Sequence, residues 1–155
     1  MTAHHLAQLN VARLRAPLDS PELAGFVALL DEINALAERS TGYVWRLRDE
    51  SGDATAIRPF DPDVIINLTV WESVESLRAY TYRSDHLEPL RRRRDWFVPY
   101  DGPHLVLWWI PAGTLPTIAE AGDRLALLAE RGPGAEAFTL RHPFPAPLPV
   151  SPAGS

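Results

Sequence analysis

Few side chains in this sequence have types and spacing suited to chemistry, and those few point to proton transfer. Five histidines are present, at positions 4, 5, 86, 104 and 142, and they are the groups that titrate nearest neutrality. His86 follows Tyr82 by four residues, so a helix running through both would place them on one face. At a pocket edge such a pair could serve as general base or acid, with the phenol as its donor partner. The alternative is that His86 caps a turn and Tyr82 packs with its hydroxyl at the surface. No H-E-x-x-H motif or similarly spaced carboxylate–histidine cluster occurs, so spacing indicates no metal site. His104 follows Asp101-Gly102-Pro103 and reads as a residue at a loop edge.

A second set of candidates is polar and uncharged. Gln8, Asn10, Asn67 and Thr69 alternate with apolar residues in two strand-like segments. Lining a cavity, they would offer donors to a substrate carbonyl or a developing enolate oxygen. A carboxamide in mid-strand runs against β-propensity and calls for a reason. The alternative is a partly solvated sheet face with these groups bonded to neighbours. Five tryptophans (Trp45, Trp71, Trp96, Trp108 and Trp109) hint at a planar apolar ligand, or else at core and dimer packing. Trp108 and Trp109 must point to opposite faces, so at most one lines a pocket. Trp71 and Trp108 are the candidates.

Composition removes other chemistry. The chain has 155 residues, which argues for one domain. It has no Cys, which excludes thiol nucleophiles, thiolate metal sites and disulfides. All 15 basic residues are Arg, so a Schiff base or lysine base is excluded too. With a net charge of −5, attraction to nucleic acid or anionic lipid is not expected. The run Arg91–Arg94 spreads around a helix between Glu88 and Asp95, and reads as a solvated face or as dimer salt bridges. No G-x-S-x-G or G-x-G-x-x-G motif occurs. The N-terminus lacks a secretory pattern and no window approaches the roughly 20 apolar residues of a membrane span, so a cytoplasmic protein is expected. The Arg-for-Lys bias and abundant Ala suggest a bacterial, GC-rich source.

These residues must be held by a definite set of elements. His4–Leu14 alternates, with Ala7, Leu9 and Val11 on one face and Leu6, Gln8 and Asn10 on the other. Ser20-Pro21 supplies an N-cap and first-turn proline for a helix through Leu23, Phe26, Leu30, Ile33 and Ala37, closed by Gly42. Tyr43–Arg48 reads as a strand with Tyr43, Trp45 and Leu47 on one face. A Gly/Pro/Asp-rich loop over Asp49–Asp63 precedes the β-branched strand Val64–Trp71. A helix starts at Ser73 and is interrupted at Ser84-Asp85, and a second piece begins near Pro89 with His86 in the elbow. His104–Ile110 is a strand. Thr117 and Glu120 form a capping box for a helix bearing Ile118, Ala121, Leu125 and Leu128, ended by Gly132. Ala137–Arg141 adds a short strand. From His142 the sequence is proline-rich and reads as extended or disordered.

The order β-α-β, β-α-β and a final helix implies an α+β, ferredoxin-like antiparallel sheet with helices on one face. The domain is expected over 1–141 and the tail over 142–155. An apolar second face left bare would need a partner, and a homodimer packed through that open sheet face would cover it and enclose a cavity.

Thr69-Val70-Trp71-Glu72-Ser73, followed by Leu77, Tyr80 and Ser84-Asp85, resembles the strand-to-helix pattern of the dimeric α/β-barrel superfamily, which includes antibiotic-biosynthesis monooxygenases. The stretches VWESVESLRAYTYRSDH, RRRRDWF, LVLWWIPAG, PTIAEA and AFTLRHPFP resemble the DUF3291 family over residues 4–145. The resemblance implies a dimer with a pocket for small hydrophobic molecules. Activities in the superfamily include cofactor-free oxygenation, isomerisation, cyclisation, haem binding and haem breakdown, and the fold does not choose among them. The haem-degrading pattern wants an Asn on the first strand, a Trp late in the second helix and a His further on. Asn10 fits, but Tyr80, Thr81 or Tyr82 and then Leu90 or Arg91 stand at the other two places. Haem breakdown is therefore disfavoured.

The leading expectation is a homodimeric, cofactor-independent monooxygenase or isomerase/cyclase acting on an aromatic or polyketide-like molecule. His86 and Tyr82 would move protons, and Asn10 and Asn67 would orient a substrate oxygen. Gln8, Thr69, Trp71 and Trp108 would complete the pocket. The alternatives are a haem-binding protein with His86 or His104 as axial ligand, and a dimer that binds a small ligand without turnover.

Overall fold

A computed structural model describes residues 3–50, 52–85 and 93–148. The elements run β1 (His4–Leu14), α1 (Ala24–Glu38), β2 (Tyr43–Arg46), β3 (Val64–Trp71), α2 (Val74–Asp85), α3 (Arg93–Trp96), β4 (Phe97–Val98), β5 (Leu105–Pro111) and α4 (Ile118–Arg131). β1 is apolar at alternate positions on both of its faces, and the sheet is built around it. β3 pairs antiparallel along one edge of β1, from Leu6 opposite Trp71 to Arg13 opposite Val64. Along the other edge, β5 pairs with the first part of β1 and the two-residue β4 with its end. β2 lies outside β3. The order β2-β3-β1-β5, all antiparallel, is that of the expected ferredoxin-like sheet. β4 is too short to have left a periodic signal.

The largest departure from expectation concerns the sheet's second face. Ala7, Leu9, Val11, Ile66, Leu68, Val70, Val106 and Trp108 are all buried there. They are covered within the chain, by Ala121, Leu125 and Leu128 of α4 and by Trp45, Ile57 and Phe60. Each large apolar side chain so removed from water contributes about 1.5–3 kcal/mol. That side of the sheet is closed by α4 and the 52–63 loop, while the side of Ile65 and Trp71, expected to be left bare for a homodimer, lies under α1 and α2. The capping box adds a tether. Thr117 Oγ1 accepts the Glu120 amide at 3.0 Å, as expected. The Glu120 carboxylate, instead of turning back to the helix start, accepts Trp108 Nε1 at 2.7 Å.

The opposite face carries α1 and α2. Phe26, Leu29, Leu36 and Ala37 of α1, and Leu77 of α2, are buried against it. Trp96 and Phe97 close one end, with ring centroids 5.7 and 5.1 Å from Phe26. α1 is entered through a 3-10 turn at Pro21–Leu23, so the Ser20 hydroxyl bonds back to the Pro17 carbonyl rather than capping the helix. Phe138 forms an isolated bridge with Leu107 and is fully buried. Its ring lies 5.9 Å from that of Phe144, whose carbonyl accepts Trp109 Nε1 at 2.9 Å. The proline-rich segment is therefore docked as far as Phe144, because two aromatic rings and one indole N–H hold it.

β2 carries a bulge. Tyr43 pairs with Trp71, but Trp45 pairs with Val70 and Arg46 with Thr69. Tyr43 and Trp45 consequently face opposite sides, contrary to the regular alternation expected from the sequence.

Candidate functional site

The helix-covered face of the sheet provides a polar floor. Gln8 and Thr69 are cross-strand partners, and the Thr69 hydroxyl donates to Gln8 Oε1 at 2.6 Å. Trp71 Nε1 donates in turn to Thr69 Oγ1 at 2.9 Å. All three residues are buried. The expected set of Gln8, Thr69 and Trp71 is thus brought together, as a ladder of two hydrogen bonds. It can fix the floor but offers little to a ligand.

One step along the strands, Asn10 and Asn67 stand directly opposite each other. Asn10 is half-buried, and Asn67 is the one exposed residue of β3. The two carboxamides therefore lie together at a place where the helical layer leaves the sheet open. They are the groups on this floor best placed to meet a small molecule.

Trp71 is wedged between two phenols. Tyr80 stacks on it at 5.0 Å between ring centroids and Tyr43 meets it edge-on at 5.8 Å. Burial, and then the charge of Asp85, push the Tyr80 phenol up to about 12. At neutral pH Tyr80 is a hydrogen-bond donor and not a base. The Tyr43 phenol is also raised, by burial first and then by Glu38.

Other expected residues fall elsewhere. Tyr82 is 67% exposed on α2, because it lies about 140° around the helix from the buried Leu77. The inward phenol is Tyr80, and the spacing Val74, Leu77, Tyr80 carried that information. His86 lies outside the described residues. Trp108 is fully buried on the α4 side, so the indole that shares the α1 side is Trp109. His104 is exposed, on the parity of β5 that faces α4, and so stands apart from Asn10 and Asn67. Among the described residues no group of three or more His, Asp or Glu could hold a metal ion.

Two surface grooves are present. One, of about 510 Å³, is lined by Val74, Arg78, Trp109 and Phe144, and another, of about 730 Å³, by Leu14, Pro17, Val27 and Arg58. Neither contains the Asn10–Asn67 pair.

Sequence reasoning missed Arg46. The bulge turns it onto the helix-covered floor beside Thr69, where its side chain is 9% exposed. Its Nε lies 3.7 Å from Glu38 Oε2 and has no hydrogen-bond partner among the described residues.

Fold and site together define a ferredoxin-like α+β chain with a polar, partly open floor beneath its helices. The chain matches the model described as Domain of unknown function (DUF3291) over residues 5–151, and it belongs to that family. Among solved structures it is similar to SnoaB, described as a cofactor-independent oxygenase from Streptomyces nogalater. That match has 18% identity and a TM-score of 0.46, and covers 74% of this chain and 100% of that one. PA3566 from Pseudomonas aeruginosa is similar at 11% identity and a TM-score of 0.39, over 74% of this chain and 99% of that one. No curated protein matches. Among the described residues no helix is long and apolar enough to cross a membrane.

Proposed function

We propose that this chain holds a hydrophobic small molecule, aromatic or polyketide-like, on the floor beneath α1 and α2. It acts on that molecule by acid–base chemistry, as a cofactor-independent monooxygenase or an isomerase/cyclase. The observation that carries the reading is the Asn10–Asn67 pair, two carboxamides face to face on the central strands with Asn67 open to the outside. Their N–H groups can hold a substrate carbonyl and strengthen their bonds as it gains enolate charge. Ile65 and Trp71, two and four residues from Asn67, give the same side of β3 its apolar character. His86, next after α2 in the chain, is the base that would take the substrate proton, leaving an enolate or phenolate. That carbanion-like species either passes an electron to dioxygen and combines with the superoxide, or is reprotonated or cyclised elsewhere. On the oxygen route, protonation gives a hydroperoxide that loses water and keeps one oxygen atom as a carbonyl. Tyr80, a neutral donor, takes the role that sequence spacing gave to Tyr82.

The test is turnover of a panel of phenols, anthrones and polyketide-like enols by wild type, Asn10→Ala, Asn67→Ala and His86→Ala. Loss of tenfold or more in kcat/KM for an accepted substrate, in all three variants, is expected; tenfold corresponds to about 1.4 kcal/mol. Undiminished turnover in both asparagine variants would refute the assignment of the floor. Binding without turnover would leave the protein a ligand binder.

A further inference from the structure

Arg46 is a full positive charge placed inside the molecule by a local irregularity. In a regular strand it would face the side away from Tyr43. The bulge between Tyr43 and Trp45 puts it on the same floor as Asn67, Thr69 and Trp71. It pairs with Thr69, so Asn67 is its diagonal neighbour on that face, about 7–8 Å away between backbones. An arginine side chain spans that distance. The guanidinium carries a planar fork of donors that fits a carboxylate edge-on.

Its charge is poorly answered. The partner, Glu38, approaches Nε at 3.7 Å, too long for a hydrogen bond. That same carboxylate oxygen also accepts from Arg48 Nη1 at 3.4 Å, and the Glu38 side chain is 40% exposed. Glu38 is moreover the last residue of α1, where the helix dipole disfavours a negative side chain. One half-solvated carboxylate, in a place its own helix disfavours, is thus shared between two arginines. A nine-tenths-buried guanidinium with an unpaired Nε is costly unless something completes it. Both phenols on the floor feel the Arg46 charge, which opposes the rise of Tyr43 and Tyr80. The side chain therefore lies among the aromatic groups that line the floor and not out in solvent.

Building on the reading of the floor as a small-molecule site, we infer that its substrate carries a carboxylate, which Arg46 binds in place of Glu38. The asparagine pair then meets the reacting oxygen while Arg46 fixes the far end of the molecule. Glu38 acts as an internal stand-in for the substrate acid, a partial counter-charge when the floor is empty and exposed enough to swing away.

The probes are 2-naphthoate and its neutral isostere 2-naphthamide, titrated against the full chain by tryptophan fluorescence with calorimetry as a check. Wild type is expected to bind naphthoate about tenfold or more tightly than naphthamide. Arg46→Gln should weaken naphthoate about tenfold or more and naphthamide much less, so that the preference is lost. Asn67→Ala should weaken both, which reads the floor separately from the anion. If Arg46→Gln does not fold, Glu38→Gln decides the matter, since removing the competing carboxylate should tighten naphthoate severalfold and leave naphthamide unchanged. Equal affinity of wild type for the two probes would overturn the carboxylate inference and keep the floor. So would a Glu38→Gln variant no tighter for naphthoate. Absence of binding by both probes to wild type would overturn both readings.

Discussion

The two faces of the sheet use the same strands under opposite rules. Towards α4, β1, β3 and β5 present Ala7, Leu9, Val11, Ile66, Leu68, Val106 and Trp108, and the one polar atom among these side chains, the Trp108 indole nitrogen, is met by Glu120. Towards α1 and α2 the same strands present Gln8, Asn10, Asn67 and Thr69, joined by Arg46 from β2. Packing an amide or a guanidinium under a helix layer costs stability unless every donor is matched. The Trp71–Thr69–Gln8 bonds are made, whereas Arg46 Nε has no partner among the described residues and Asn67 is exposed. The α4 side is thus built for stability, and the α1 side gives some of it up around an opening.

The sharpest way to break this contrast is to damage the α4 side and ask whether the floor notices. Trp108→Ala should cost about 3–5 kcal/mol in urea unfolding, through a cavity and the loss of the Glu120 bond. Below the transition, the folded protein should bind ligand with unchanged affinity. A cost below about 1 kcal/mol would mean that α4 does not hold this face.

On the floor side, Tyr80 gives a pH-dependent test. Its phenol ionises at about 12 in the native chain against an ordinary value of 10.0. The native state therefore binds this proton more tightly than the unfolded chain does. The resulting stability is complete below pH 10 and is lost as the pH rises through 12. At about 1.4 kcal/mol per unit the loss approaches about 2–3 kcal/mol. With no Lys and no Cys in the sequence, phenols dominate the titration in this window. Urea midpoints between pH 9 and 12 should fall in wild type and fall less in Tyr80→Phe. Parallel curves would mean that the phenol is not buried as described.

What the sequence revealed and what it withheld divide along similar lines. β3, the alternation of β1, the capping box and the buried stripe of α4 were legible because each rests on contacts or periodicities a few residues long. The face chosen by α4 was not, since it depends on Phe60 and Ile57 arriving from a loop remote in sequence. The β2 bulge was equally hidden. Y-V-W-R reads as plain alternation, and one inserted residue moves Trp45 to the α4 side and Arg46 onto the floor. Asn10 and Asn67 were found because a carboxamide at an alternating position is conspicuous in itself. The inward phenol could have been found from the Val74, Leu77, Tyr80 spacing. Spacing alone favoured Tyr82 because of its distance from His86.

Asn67 sharpens the comparison most, although its effect on folding should be the smallest. It is the exposed residue in a strand whose other seven positions are buried. A carboxamide there contributes neither packing nor β-propensity. Replacing it with Val should leave the unfolding free energy within about 0.5 kcal/mol of wild type or raise it slightly. Ligand affinity should move the other way, falling about tenfold, or about 1.4 kcal/mol, as one donor to the substrate oxygen is lost. If Asn67→Val instead lowers stability by 2 kcal/mol or more, the carboxamide is a structural member of the floor like Thr69. The opening beside it would then lose its claim to a ligand. Gain in folding with loss in binding is the combination that a residue kept for function should show, because nothing on the α4 face could produce it.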